Sequence, residues 1–246
     1  MDKMLYISMT GASHNTKALQ AHANNLANVS TSGFKRDFEQ ARSMSVFGDG
    51  LPARAYALSE RPGTDFTSGS LQETGRDLDV AAVGDAWLAV QAADGSEAYV
   101  RTGSLQIDAL GMLRTASGLP VLGNAGPIAV PPEQKVEIGQ DGTISIRAQG
   151  EAPSVMAEVD RLKLILPDPK QLEKGGDGLV RARDGQPFEA DANARVISGF
   201  TEASNVNAVE EMTAMLSLSR QFELHVKMMR TAEDNSSAVA RIMQLS

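Results

Sequence analysis

Residues 207–246, NAVEEMTAMLSLSRQFELHVKMMRTAEDNSSAVARIMQLS, carry one long periodic pattern. Met215, Leu218, Phe222, Met229, Ala232, Val239 and Met243 fall on a single 3.5-residue repeat, which a helix gathers onto one face. His225 and Ser236 interrupt the line. At 1.5 Å per residue such a helix reaches roughly 60 Å, more than a compact domain of this size covers with its own core, so part of its apolar face is expected to need another surface. Met212, Met215, Met228, Met229 and Met243 read as packing, because Met fills irregular gaps between helices. Glu223, Lys227, Arg230 and Glu233 read as the solvated or intersubunit face of the same helix.

The other end of the chain has a matching signal. Leu5, Met9, Ala12, Thr16, Leu19, Ala23 and Leu26 recur at alternating spacings of four and three, with Thr16 the polar member. Ser30-Thr31-Ser32-Gly33 stops this helix, Gly33 being suited to a left-handed backbone. Between the ends the pattern changes. Trp87–Gln91 and Ala98–Arg101 flank the turn Ala93-Asp94-Gly95, and Val136–Ile138 and Thr143–Ile146 flank Gln140-Asp141-Gly142. Asp-Gly accepts the backbone angles of tight hairpins, and Arg161–Leu166, ended by Pro167, is a further strand candidate. The expected fold class is α+β: N- and C-terminal helices paired in coiled-coil fashion around a central all-β domain of antiparallel strands, sandwich or barrel-like. The expected division is a helix over 1–36, an extended connector with short strands over 37–75, the β domain over 76–202 and the C-terminal helix over 203–246.

Composition narrows the function classes. At 246 residues and 42% hydrophobic the chain can bury a real core, and its low aromatic share of 4% favours small, closely packed side chains. A net charge of −8 without any basic run argues against nucleic-acid binding, which draws on clustered Lys and Arg. Absent Cys removes disulfides, thiolate catalysis and the usual structural zinc sites. The N-terminus, MDKMLYISMTGASH, lacks the apolar core of a secretory signal, and no stretch is long enough for a membrane span, so no direct membrane insertion is expected.

The run Ala23-Asn24-Asn25-Leu26-Ala27-Asn28-Val29-Ser30-Thr31-Ser32-Gly33-Phe34-Lys35 ends the first helix with amides that can bond along a crowded helix terminus, a Gly that permits reversal and a Phe that anchors the exit. On the residues alone it also fits a plain capped helix and turn. It resembles the N-terminal signature of the flagellar rod and hook family, ANNLANVST-x-G-[FY]-[KR]. Gly69 to Ala81, including Leu78-Asp79-Val80, resembles that family's connector into its first outer domain, and Glu202-Ala203-Ser204-Asn205-Val206-Asn207 resembles its E-x-SNV segment. Ser32 departs from the Pro of many relatives and Ala86 from their Gly. Gly84–Gln91, with Trp87-Leu88, is nearer the proximal rod pattern than the Phe-Phe of the distal one.

The resemblance implies a structural subunit of the proximal rod in the periplasmic part of the basal body. Its partners would be copies of itself, the other proximal and distal rod subunits and, during secretion without a cleaved signal peptide, the flagellar type III export apparatus. The terminal helices would pack in the inner tube and the β domain would face outward. The alternatives are a distal rod protein of the same family and a secreted β-domain binding module.

An enzyme is the rival class, and the residues offer it no catalytic, cofactor-binding or metal site. His14 and His22 are eight apart and His225 is remote, without the i, i+4 pair of a zinc helix. Ser68-Gly69-Ser70 lacks the spacing of a nucleophile elbow, and no Gly-rich loop carries the Lys needed to hold phosphates. Asp77 and Asp79, two apart on an alternating segment, read as one exposed face rather than an acid and base pair. His225 reads as a residue that tunes helix register.

Overall fold

The computed structural model describes residues 4–38, 41–45, 55–59, 63–131, 133–148 and 156–244. The chain forms two compact units, one of residues 1–29, 36–65 and 206–246, the other of residues 30–35 and 66–205. This cuts the chain differently from the expected division, since 36–65 goes with the helices while 30–35 and 66–75 go with the strands.

In the first unit, helix α1 spans Met4–Ala27 and helix α2 spans Ala208–Gln244, 37 residues or about 55 Å of axis. Asn207 starts α2 because its side-chain oxygen accepts from the Val209 and Glu210 amides at 3.0 and 3.4 Å. Glu210 and Glu211 in the first turn and Arg241 in the last complement the helix dipole. The two helices pack side by side and antiparallel, since Gly11 meets His225 while His22, eleven residues on, meets Glu211. The stretch expected to be an extended connector folds back on itself. Strand β1 (Asp37–Phe38), β2 (Ala41–Ser45), β3 (Ala55–Ser59) and β4 (Gly63–Thr64) pair as β1 with β4 and β2 with β3, both antiparallel. The register runs from Asp37↔Thr64 to Ser45↔Ala55.

The second unit is all β and antiparallel. It begins with β5 (Leu71–Glu73), β6 (Asp79–Ala82), β7 (Trp87–Gln91), β8 (Glu97–Val100), β9 (Thr102–Ile107) and β10 (Leu113–Thr115). It continues through β11 (Glu133–Ile138), β12 (Thr143–Ala148), β13 (Ala157–Arg161), β14 (Leu164–Ile165), β15 (Leu172–Lys174) and β16 (Val180–Ala182). The last two strands are β17 (Val196–Ser198) and β18 (Phe200–Glu202). One sheet runs β10-β9-β6-β17, a second β14-β7-β8-β16-β15, a third β11-β12-β13, and β18 pairs with β5. The hairpins expected at Trp87–Arg101 and Val136–Ile146 are β7-β8 and β11-β12, with Gly95 and Gly142 at φ +83° and +85° in their turns.

β7 is apolar at successive positions because both its faces are covered. Leu88 and Val90 point into a core with Val80, Leu105, Leu113, Val121 and Ile144, while Trp87 and Ala89 point into a second with Tyr99, Ile165 and Leu172. The strand expected over Arg161–Leu166 is instead split between sheets. Leu162 N–H bonds Gly142 O at 2.8 Å and Lys163 N–H bonds Leu122 O at 2.9 Å, so the chain leaves the three-stranded sheet after Arg161 and joins the five-stranded one at Leu164.

Candidate assembly site

The apolar repeat of α2 is the face it turns to α1, as far as the pairing extends. Met215, Leu218 and Met229 are half-buried, Phe222 is 37% exposed, and Ala232 is buried. Beyond Ala232 every described side chain is exposed, Val239 and Met243 included. α1 answers with a different line from the expected one. Ala12 is buried and Leu19 and Leu26 are half-buried, but Leu5 and Met9 stand 40% and 53% exposed, and the buried positions are Ser8, Ala12, Asn15 and Asn25. The buried positions of α1 are thus small or polar, with Leu19 and Leu26 of the apolar line half-buried beside them. The reason is close approach: a Cβ on Gly11 would lie 2.5 Å from Cε1 of His225, so the imidazole occupies the space a side chain would need.

The end of α1 is tied down by a buried carboxylate. Glu211 is fully buried; its Oε2 lies 2.5 Å from Nδ1 of His22 and accepts from Asn25 Nδ2 at 3.3 Å, and its Oε1 lies 2.8 Å from Arg36 Nε. Asn25 also donates to Asp37 O at 2.6 Å and accepts from Asp37 N–H at 2.9 Å. Asn28 donates back to Asn24 O at 2.9 Å and closes the helix terminus. Asn24, Ala27 and Ser30 are exposed and Val29 is half-buried.

The rest of the motif belongs to the β unit. Gly33 has φ +72° and donates its N–H to Glu202 O at 2.8 Å. Phe34 lies under the Lys174 ammonium, 3.8 Å from its ring centroid, and Lys174 Nζ donates to Lys35 O at 2.7 Å. Lys35, Arg101 and Glu202 form a buried ion cluster: Lys35 Nζ and Arg101 Nε reach the two oxygens of Glu202 at 2.7 and 2.9 Å. Asn205 Nδ2 donates to Thr67 O at 3.1 Å, Ser204 is half-buried, and Val206, in the first unit, is buried. Leu78 packs against the larger core and Val80 lies inside it. Asp79 corrects the expectation of an exposed carboxylate face: it is 2% exposed and accepts from Ser104 Oγ at 2.6 Å, while Asp77 is exposed.

Sequence reading therefore located Asn25, Gly33 and the E-x-SNV segment but not what they meet. Glu211 carried only the signal of an acid in a first helical turn, and Arg101 carried none. Large apolar side chains remain uncovered on both helices, among them Leu5, Tyr6, Ile7 and Met9 on α1 and Leu216, Leu224, Ile242 and Met243 on α2. Among the described residues no group of three or more His, Asp or Glu could hold a metal ion, and no helix is long and apolar enough to cross a membrane.

Three family models match the chain in order: "Flagella basal body rod protein" over residues 5–35, "Flagellar hook protein FlgE/F/G D1 domain" over 81–146 and "Flagellar basal body rod FlgEFG protein C-terminal" over 197–242. The chain is 41% identical to the flagellar basal-body rod protein FlgF of Escherichia coli and 33% identical to that of Caulobacter vibrioides, over the full length of each chain. It is 32% identical to the flagellar basal-body rod protein FlgG of Buchnera aphidicola, over 93% of this chain and 95% of that one. The chain therefore belongs to the flagellar basal-body rod proteins, a family of structural proteins and not of enzymes, and within it is most like FlgF.

Proposed function

We propose that this rod subunit polymerises through its terminal helices into the proximal part of the rod, where it forms part of the drive shaft and of the channel through which later subunits pass. The observation that carries this reading is the uncovered apolar surface of both helices. Ile242 and Met243 are 68% and 72% exposed on a helix that continues past its partner, and Tyr6 is 60% exposed on the other. A lone monomer leaves such surface in water at a cost of about 25 cal/mol per Å², which contact with neighbouring subunits removes. Within this reading the partners are copies of the chain and neighbouring proximal and distal rod subunits, met in the periplasm after passage through the type III export apparatus. The Trp87-Leu88 pair and the similarity to FlgF proteins favour the proximal over the distal position. A secreted binding module gains no support from uncovered helices.

The test is purification of basal bodies from cells that make an epitope-tagged chain. The tagged chain is expected in the rod, its loss should abolish swimming, and it should persist in basal bodies arrested before the distal rod is added. Normal swimming without the chain, together with its absence from basal bodies, would refute the proposal. Its absence only from the arrested particles would move it to the distal rod.

A further inference from the structure

The outward side of α1 is almost without charge. Between Met4 and Ala27 the one Lys, Arg, Asp or Glu is Lys17, and Tyr6, Met9, Ser13, Lys17 and Gln20, three or four apart, share an exposed stripe. A solvated helix face ordinarily mixes charges, as α2 does with Glu223, Lys227, Arg230 and Glu233. The stripe on α1 instead has apolar side chains at one end, Tyr6 and Met9 at 60% and 53% exposure, and a single cation toward the other. A helix that covers it needs an apolar group and an anion about 12 Å apart along its length.

The end of α2 that continues past α1 has that pattern. Asp234, Ala238 and Ile242, four apart, form one exposed stripe, with Ile242 68% exposed. Laid antiparallel on α1 of another copy, it sets Asp234 against Lys17, Ala238 against Ser13 and Ile242 against Met9. Opposite charges then meet at one end, apolar groups at the other, and small side chains between them let the helices approach. A slip of four residues one way puts Arg230 against Lys17; the other way seats Ile242 on Ser13 and removes the ion pair. A parallel placement that keeps the ion pair carries Ile242 to the level of Asn25, which is already buried.

We propose that the tail of α2, residues 233–244, docks antiparallel on the Tyr6–Gln20 face of α1 in a second copy of this chain, with Asp234 on Lys17 and Ile242 on Met9. The contact rests on the reading of the chain as a rod subunit that polymerises through its helices, and it sets how copies add. Within one chain Gly11 is level with His225; here it is level with Ala240 of the second copy, a displacement of roughly fifteen residues, or about 22 Å. α2 runs antiparallel to α1 of its own chain and to α1 of the next, so the two α1 helices point the same way. Parallel copies displaced along their length have no twofold axis between them, and each pair leaves one tail and one stripe for the next copy, which gives an open series.

This chain has no Cys, so thiols can be placed at will. Basal bodies are isolated from cells whose only copy of the chain is epitope-tagged and carries Ser13→Cys with Ala238→Cys, and are treated with a bismaleimide about as long as the 8–10 Å between packed helix axes. Within one chain these two sites differ in level by roughly fifteen residues, beyond the linker. Tagged bands at two and three times the chain's mass are expected. They should be at least about fivefold stronger than from Gln20→Cys with Ala238→Cys, which this register sets about 10 Å out of line. In a second arm Lys17→Asp should lower incorporation at least about fivefold by setting two carboxylates together, and adding Asp234→Lys should return it to within about twofold of the parent. If the tagged parent enters basal bodies but the Ser13 and Ala238 thiols give no more product than the control, or join the chain to a different rod protein, this contact is overturned and the rod reading stands. If the tagged parent is missing from basal bodies, both fall. Should the thiol variant fail to assemble, the charge exchange decides: recovery in the double variant supports the contact and continued loss overturns it.

Discussion

Asn25 takes the part of a strand residue at the end of a helix. Its amide both gives and takes a hydrogen bond with the backbone of Asp37, the two-way exchange that one residue of an antiparallel ladder makes, and spends its second N–H on Glu211. Asn25→Ala would leave buried polar groups unpaired, at a cost of about 1–3 kcal/mol. The expected result is a lower urea midpoint for the helical signal together with faster exchange of the Asp37 amide; an unchanged Asp37 amide would show that another group holds it. Gly33 gives a second prediction of this kind. A Cβ there would lie 2.9 Å from Thr102 Cγ2, and φ +72° suits no β-branched residue, so Gly33→Val should destabilise the β unit by more than about 1 kcal/mol. Gly33→Asn, which tolerates this backbone better, should cost less, and equal loss from both would mean that the Thr102 contact outweighs the backbone. That Asn25 would bond and that Gly33 would turn the chain is legible in the sequence, because amide chemistry and φ > 0 are local properties. Their partners are not, since Glu211 is 186 residues away and nothing in its own surroundings marks it as buried.

Elements were legible to different depths. Both helices and both Asp-Gly hairpins stand where period and turn chemistry put them, because those signals are repeated within a few residues. The face that α1 turns inward was not, because an apolar periodicity names the most oily line, while here small and polar residues allow the closest approach. Ser8, Gly11 and Asn15 lie one position beside the expected seam, and Leu5 and Met9 are left outside. Gly11→Val should force the His225 ring out and raise exchange around residues 8–15 and 222–229 while α1 and α2 keep their far-UV helical signal; equal protection in the variant would show that the ring swings aside freely. The turns of the β unit contribute to its behaviour in acid. Hydrogen bonds from Arg114 and from the Met112 amide hold the Asp108 carboxyl below its usual range, as Thr143 does for Asp141 and Arg181 for Asp177. A carboxyl depressed in the folded state contributes stability that is present in full above its unfolded pKa and is lost as pH falls through the folded one. The β signal should therefore melt at a constant temperature from pH 7 to about 5 and at falling temperature below about 4, with a shallower fall in Asp108→Asn. A fall already complete above pH 5 would point to other groups.

For the whole chain, the decisive asymmetry is that α2 outlasts its partner. Ala232 is the last buried residue of the helix, and from Glu233 to Gln244 every side chain is exposed although Val239, Ile242 and Met243 are apolar. Val239, Ile242 and Met243 stand 55%, 68% and 72% exposed, so removal of this segment should leave the rest intact. Truncation after Ala232 should leave the unfolding free energy of both units, from urea titration, within about 0.5 kcal/mol of the full chain, the usual range for surface changes. In a rod the same three side chains would be covered, each contributing up to about 1.5–3 kcal/mol less the cost of ordering, and repetition over many subunits would make incorporation depend steeply on them. The truncated chain is accordingly expected to accumulate folded and to be missing from purified basal bodies, with swimming lost. The triple variant Val239→Ser, Ile242→Ser, Met243→Ser, which keeps the helix length and removes only apolar surface, should show the same loss. If the truncated chain unfolds, the segment supports the monomer after all; if the triple variant assembles normally, the exposed apolar face is not what neighbouring subunits bind.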